Sequence, residues 1–327
     1  MNNKIAIGCL VQWYEVEMVE DYLISLRNAV RRVSPRRNVQ IDICLNLNEG
    51  LEKLDTSKKS MYEIERKFLD MVQEILSGCH YVYWKTEIDI YTIADYRRDF
   101  NRSYCKSADV LMWGESDSLI PEQAFQVLDY LHNEVKEATP KYVATFGINK
   151  MWDDSWKPLE HVEFTDKPFI EADTKNWWSI PYTMNIEEMD AFNDKVEDLD
   201  IQQTTQLKFN GCGLVISSDV VKSGCNIPKS VFFVHEDTSF MNNCLIHFRN
   251  QLPQYIIKNI LLVHNRKLPN KRMYIKGQDI QDGDMTEMRK KQYWFPNADK
   301  MSQMNAFNTT EQGYTFTWED VFREYEN

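Results

Sequence analysis

Apolar strand-like runs alternate with amphipathic helix-like stretches over the first 150 residues, and this alternation limits the fold most strongly. The first run, KIAIGCLV at 4–11, is rich in β-branched residues, and residues 16–32 then carry apolar side chains at helical spacing. Strands alternating with helices predict an α/β layer around a mostly parallel sheet. The later predicted elements of this half are strands at 39–47, 81–85, 110–113 and 141–148 and helices at 60–77, 93–106 and 123–135.

The periodicity is lost from 150 to 205, where four tryptophans lie among prolines and acids. This segment is predicted to be an inserted, partly helical subdomain or lid. Further on, the sequence predicts strands at 206–217, 231–234 and 256–263 and a helix at 239–249. The predicted organisation is an α/β half at 1–149, the insert at 150–205, a second half of the same domain at 206–275 and an irregular C-terminal extension at 276–327.

Cysteine spacing and charge exclude several classes of protein. The seven cysteines are scattered and never form a C-x-x-C pair, so we expect them to be small core residues. Free cysteines fit a protein of the reducing cytoplasm, which would be the host cytoplasm if the protein is viral. The net charge of −12 opposes general binding to polyanions, yet residues 264–276 carry five basic side chains and no acid. The chain shows no signal peptide pattern and no apolar run near the ~20 residues of a spanning helix. We therefore expect a soluble protein.

An acidic tripeptide, Glu115-Ser116-Asp117, directly follows the predicted strand at 110–113. Ligands of α/β sheets bind beyond the carboxyl ends of the strands. Two carboxylates separated by one residue can point to the same side of an extended chain, which suits a hard cation such as Mg²⁺ or Mn²⁺. The alternative is a polar end to the strand before an acidic helix N-terminus that Pro121 opens.

The surrounding segment, IADYRRDFNRSYCKSADVLMWGESDSLIP at 93–121, resembles the central signature of family-2-like GT-A glycosyltransferases. The shared features are a helix with Arg and Asn, an Ala-containing turn, an apolar strand, a D-x-D-type motif and a following Pro. The resemblance implies a GT-A (Rossmann-like) fold and transfer of a sugar from a nucleotide diphosphate sugar, with a UDP-sugar favoured. It places Arg97 or Arg98 at the diphosphate, Glu115 near the ribose or the metal, and Asp117 on Mn²⁺ or Mg²⁺. The chain departs from the pattern in having Glu rather than Asp as the first acid.

Two later segments resemble the same family in the same order. The run FNGCG at 209–213 is similar to the strand that passes beneath the sugar, where Gly211 would let a ligand approach the backbone; a β-bulge is the alternative. The pair Glu236-Asp237 resembles the acidic motif that supplies a general base, with Asp237 preferred and Glu236 as its substitute. Asp237 could instead cap the following helix.

Three further positions complete the implied site. His264, at the end of the last predicted strand, is similar to a histidine that completes the metal site, and the alternative is a structural histidine. Arg266 and Lys267 follow it and could hold the diphosphate, or they could be solvated surface charges. Trp13 follows the first strand, where an aromatic ring could stack on a nucleobase or simply pack.

Several alternatives remain open. A nucleotidyltransferase would share the sheet and the carboxylates, but the sequence lacks its glycine-rich loop after the first strand. A non-catalytic binding protein with a GT-A-like shell is the rival from another class. The acceptor is either a hydroxymethylated base in DNA, as for a bacteriophage DNA glycosyltransferase, or a saccharide or protein. The sequence leaves the transferred sugar (hexosyl or pentosyl), the stereochemistry and the oligomeric state unassigned, and it favours no membrane partner.

Overall fold

Nine strands of the described residues join in one sheet, ordered β3-β2-β1-β4-β8-β6-β9-β5, with β7 paired to β9. The computed structural model describes residues 1–16, 18–47, 60–86, 90–148, 159, 161, 184–231, 235–264 and 313. The strands are β1 (Ile5–Gln12), β2 (Val39–Asn46), β3 (Tyr81–Thr86), β4 (Val110–Trp113), β5 (Ser118–Leu119), β6 (Val143–Ile148), β7 (Ile201–Thr204), β8 (Val215–Ser217) and β9 (Gln254–His264).

Strand direction follows from the pairings. Strands β1 to β4 are mutually parallel, β8 is antiparallel to both β4 and β6, and β9 is parallel to β6. Strands β5 and β7 are antiparallel to β9. Six of the nine strands therefore run in one direction, and their carboxyl ends share one edge of the sheet.

Seven α-helices connect and flank these strands in the described part of the chain. They are α1 (Val19–Arg31), α2 (Met61–Ile75), α3 (Ile93–Tyr104), α4 (Ala124–Val135), α5 (Ile186–Asn193), α6 (Ser218–Lys222) and α7 (Glu236–His247). The predicted α/β class is confirmed, and β1 is buried along its whole length, as expected for a parallel strand covered on both faces.

Helix α3 is fixed to the sheet by a buried acid of β2. Asp42 accepts hydrogen bonds from Tyr96 Oη at 2.8 Å, Tyr104 Oη at 2.7 Å and Trp84 Nε1 at 3.1 Å. Tyr96 and Tyr104 lie eight residues apart, so they share the face of the helix that meets the sheet. Phe100, on the same face, lies over Gly8, where an added Cβ would approach its ring to 2.5 Å. This close contact sets the height of α3 above β1.

Three predictions from the second half need correction or fall outside the described residues. The strand predicted at 206–217 is confined to Val215–Ser217, because Gly213 adopts a left-handed backbone with φ of +68° that breaks the extended run. Helix α7 begins at Glu236, three residues before the predicted start, so Glu236 and Asp237 form its first turn and His235 is the N-cap. Of the predicted strand at 231–234, only Val231 is described, and it is not in a strand.

The described ends of the predicted insert pack against the rest of the chain. Helix α5 contributes Ile186 and Met189 to a small core with Val263 of β9, and β7 extends the sheet through its pairing with β9. The domain boundaries stay a prediction.

All seven cysteines are free, and all but Cys79 are buried. Among the helices described here, none combines the length and the apolar character needed to cross a bilayer.

Candidate functional site

The acidic tripeptide lies at the carboxyl edge of the sheet, just beyond β4, as the sequence predicts. Its neighbour across the sheet is set by strand register, since Ser118 of β5 pairs with His264, the last residue of β9. That pairing brings a histidine from the far end of the described chain beside the two acids. His264 and Asp117 are buried, at 2% and 3% side-chain exposure, and Glu115 is 24% exposed.

Both acids converge on the same ring nitrogen. His264 Nε2 lies 3.0 Å from Glu115 Oε2 and 3.2 Å from Asp117 Oδ1. The predicted alternation along an extended chain is not the cause, because β4 ends at Trp113 and a turn follows, closed by the hydrogen bond from Ser118 N to the carbonyl of Glu115 at 3.0 Å. This turn directs both carboxylates toward the imidazole. The carboxylate oxygens suit Mn²⁺ or Mg²⁺, and the imidazole adds a nitrogen donor of the kind that transition-metal ions bind, so these three residues fit a divalent cation.

A thiol that the sequence analysis assigned to the core lies at the same place. The Sγ of Cys212, a carboxylate oxygen of Glu115 and a ring nitrogen of His264 all lie within 4.8 Å of one another. Cys212 is 2% exposed. The sequence signal was present but weak: a cysteine between two glycines, in a segment expected to approach the ligand.

A buried guanidinium ties this cluster to helix α7. Arg97 is 2% exposed, donates from Nη2 to Glu115 Oε1 at 2.7 Å and from Nη1 to Glu236 Oε1 at 2.5 Å, and also reaches the carbonyl of Gly211 at 3.2 Å. Its guanidinium carbon lies 4.8 Å above the ring centroid of Trp113. An added Cβ at Gly211 would come within 2.1 Å of Nη1 of Arg97, so only glycine fits there.

Arg98, the other arginine proposed for the diphosphate, turns away from this cluster. Its guanidinium pairs with Asp95 one turn earlier on α3 and reaches the carbonyl of Pro228 at 3.5 Å. Asp95 is held by the N-terminal cap of the helix, where Oδ2 accepts from the backbone amide of Thr92 at 3.0 Å. Adjacent residues on a helix point about 100° apart, so only one of the two arginines can face the acids.

The two acids of α7 are placed differently. Asp237 accepts backbone hydrogen bonds on both oxygens, from Gly211 N at 2.8 Å and from Thr238 N at 2.6 Å. Glu236 instead faces Arg97. Burial raises the pKa of the Glu236 carboxyl to about 7, against the opposing effect of Arg97, and Asp237 adds to the rise. Burial disfavours the charge on Arg97, but Glu236 and Glu115 outweigh this and raise its pKa. The guanidinium therefore stays charged.

Three predicted residues, Trp13, Arg266 and Lys267, are not among the contacts described above. Trp13 is in a short 3₁₀ turn after β1, at the same edge of the sheet, and it is 5% exposed within the main core. Arg266 and Lys267 lie outside the described residues. The structure thus brings together Glu115, Asp117, Gly211, Glu236, Asp237, His264 and one arginine, Arg97.

Comparison with known proteins gives low similarity. No family model matches the chain, and no curated protein matches it. Among solved structures, Staphylococcus aureus TarS 1–349 in complex with UDP-GlcNAc has a TM-score of 0.49 at 10% identity, covering 93% of this chain and 67% of that one. Mycobacterium tuberculosis glucosyl-3-phosphoglycerate synthase with Mg²⁺ and UDP has a TM-score of 0.45 at 8% identity, covering 93% and 80%. Similarity this low carries no functional inference.

Replacing Arg97 should destabilise the protein strongly. Arg97→Met leaves Glu236 and Glu115 facing each other without their shared cation, and we expect a loss of about 3–5 kcal/mol in the free energy of unfolding, measured by urea denaturation. Arg102→Met, at the exposed end of the same helix, should change it by about 0.5 kcal/mol or less. Adding Glu236→Gln to Arg97→Met should recover part of the loss; no recovery would show that the two side chains are not energetically coupled.

Proposed function

We propose that the protein is a metal-dependent glycosyltransferase that moves a sugar from a nucleotide diphosphate sugar, a UDP-sugar foremost, to an acceptor hydroxyl. The observation that carries this proposal is the convergence of Glu115, Asp117 and His264 at the carboxyl edge of an α/β sheet, with Glu236 of α7 joined to Glu115 through Arg97. The order of these segments along the chain is the order that the GT-A resemblance implies.

Glu115, Asp117 and His264 would hold the divalent ion, Mn²⁺ or Mg²⁺. When bound, the ion neutralises the diphosphate, which makes the nucleotide a better leaving group. Arg97 is already paired to two carboxylates, so its contribution is to hold Glu115 toward the diphosphate side and Glu236 toward the acceptor side.

Glu236 is the proposed general base. A base must exchange a proton near the working pH, and burial brings the pKa of Glu236 to about 7. The sequence favours Asp237 as the base, but in the structure both carboxylate oxygens of Asp237 accept hydrogen bonds from backbone amides. We propose that Asp237 positions the Gly211 segment while Glu236 accepts the proton of the acceptor hydroxyl as the bond to the sugar forms.

Asp117→Ala should abolish donor turnover. A panel of UDP- and GDP-sugars is incubated with protein and Mn²⁺, and release of nucleotide is measured. We expect hydrolysis of at least one donor, lowered about 100-fold or more by Asp117→Ala, which is the usual cost of losing one electrostatic contact in the transition state. The exposed Asp70→Ala on α2 is the control. Hydrolysis of no donor by the wild type would instead favour the non-catalytic binding protein.

The pH dependence of the same reaction should identify the base. Because a base acts as the carboxylate, kcat/KM should rise as the pH is raised through about 7 and level off above it. Glu236→Gln should lower kcat by about 10²–10⁴ and remove this rise. Asp237→Asn is the comparison. If it causes the larger loss and Glu236→Gln keeps the rise, the base is Asp237.

For the acceptor we keep the hydroxymethylated base in DNA as the candidate. Its support is the basic segments at 264–276 and 289–291, which lie outside the described residues beyond His264, together with Arg249, which is exposed in the turn after α7. A duplex containing hydroxymethylcytosine should be shifted in a gel at low salt and released as the salt is raised. An unshifted duplex at low salt would leave a saccharide or protein hydroxyl as the acceptor.

A further inference from the structure

The thiol of Cys212 gives the proposed metal site a soft donor. Its Sγ lies within 4.8 Å of both a carboxylate oxygen of Glu115 and a ring nitrogen of His264, so one ion placed between them can contact all three. Cys212 and His264 are each 2% exposed. Thiolate and imidazole ligands favour a different set of ions from the oxygen ligands that Mg²⁺ requires.

The backbone fixes the position of this thiol from both sides. The amide of Cys212 donates to Asn210 Oδ1 at 2.9 Å, and the amide of Gly211 donates to Asp237 Oδ2 at 2.8 Å. On the other side, the amide of Gly213 donates to the carbonyl of Trp113 at 3.1 Å, next to the acidic tripeptide. The segment is thus tied to both α7 and β4. The position of the Cys212 backbone beside the acidic tripeptide therefore follows from the fold.

The other cysteines lack this setting. Cys105, at the end of α3, is buried and donates through Sγ to the carbonyl of Arg102 at 3.5 Å. Cys244 is buried and forms a hydrogen bond with Cys225. Among the described residues, Cys212 alone joins a group of at least three acids, histidines or cysteines close enough to share a metal ion.

We propose that Cys212 is a metal ligand and that the site binds Zn²⁺ or Co²⁺ more tightly than Mn²⁺, and far more tightly than Mg²⁺. One thiolate, one imidazole and one carboxylate are ligand types that zinc binds, and Asp117, whose Oδ1 lies 3.2 Å from His264 Nε2, is a further oxygen donor beside them. The order of affinities follows the general rise from Mn²⁺ to Co²⁺ and Zn²⁺ at mixed nitrogen, oxygen and sulfur sites. As the ion binds, the thiol proton passes to solvent and a metal–sulfur bond forms.

This proposal rests on the proposed function for the location of the metal, but ion binding can be measured without donor or acceptor. Metal-free protein is titrated with Co²⁺ in the absence of nucleotide, and the near-ultraviolet absorption from sulfur-to-cobalt charge transfer is recorded. We expect this band to grow to one equivalent of Co²⁺, to disappear when Zn²⁺ is added and to persist in excess Mg²⁺. If the band forms and no UDP-sugar is hydrolysed, the metal site stands and the glycosyltransferase proposal fails.

Cys212→Ser is the test variant and Cys105→Ser its control, since each replaces one buried thiol by a hydroxyl. Cys212→Ser should lose the charge-transfer band and bind Co²⁺ at least about 10-fold more weakly, because even an outer-shell partner of a metal costs that much when removed. Cys105→Ser should keep the charge-transfer band and the wild-type affinity for Co²⁺. Binding of Co²⁺ to the wild type without the band, or an unchanged band in Cys212→Ser, would overturn the proposal.

A second measurement avoids the variant in case Cys212→Ser does not fold. Cadmium NMR of the wild-type protein loaded with one equivalent of Cd²⁺ should show a single resonance shifted downfield by a thiolate ligand. A resonance at the position of an all-oxygen and nitrogen site would contradict ligation by Cys212. Circular dichroism of each variant shows beforehand whether it is folded.

Discussion

The buried guanidinium of Arg97 is the interaction on which the arrangement of this site depends. An arginine cannot lose its charge inside a protein, so a fold that buries it must also supply anions. Here they come from Glu115, 18 residues away in the chain, and from Glu236, 139 residues away. The carbonyl of Gly211 and the ring of Trp113 complete its surroundings. One cation therefore fixes the mutual position of β4, the Gly211 segment and α7.

Much of the first half of the fold could be predicted from the sequence because its signals are local. Strands β1 and β2 are mostly apolar and are buried along almost their whole length, and α1 between them carries its buried residues at helical spacing. The positions of the acidic tripeptide beyond β4 and of His264 at the end of β9 could also be predicted, because each comes at the end of an apolar run. Asp42 carries a further local signal, because a lone acid inside a buried strand must have hydrogen-bond donors.

The remaining features depend on contacts between distant segments. Strand β8 is three residues long and follows a glycine turn, so its insertion between β4 and β6 has no local signature. The choice between Arg97 and Arg98 depends on Asp95, whose place in the helix cap draws Arg98 away. The nearness of Cys212 to Glu115 comes from hydrogen bonds that link the Gly211 segment to α7 and β4. The residues next to each of these positions in the sequence do not indicate any of these contacts.

The pairing of Ser118 with His264 has a consequence for assembly. The two residues are 146 positions apart, and a shift of one residue in β9 would turn the imidazole to the opposite face of the sheet. The donor set therefore exists only once the last described strand has docked in register, and a partly folded chain lacks it. A cation that binds here binds the native state alone, so its affinity adds directly to the free energy of unfolding. Removal of such a cation would then lower the free energy of unfolding.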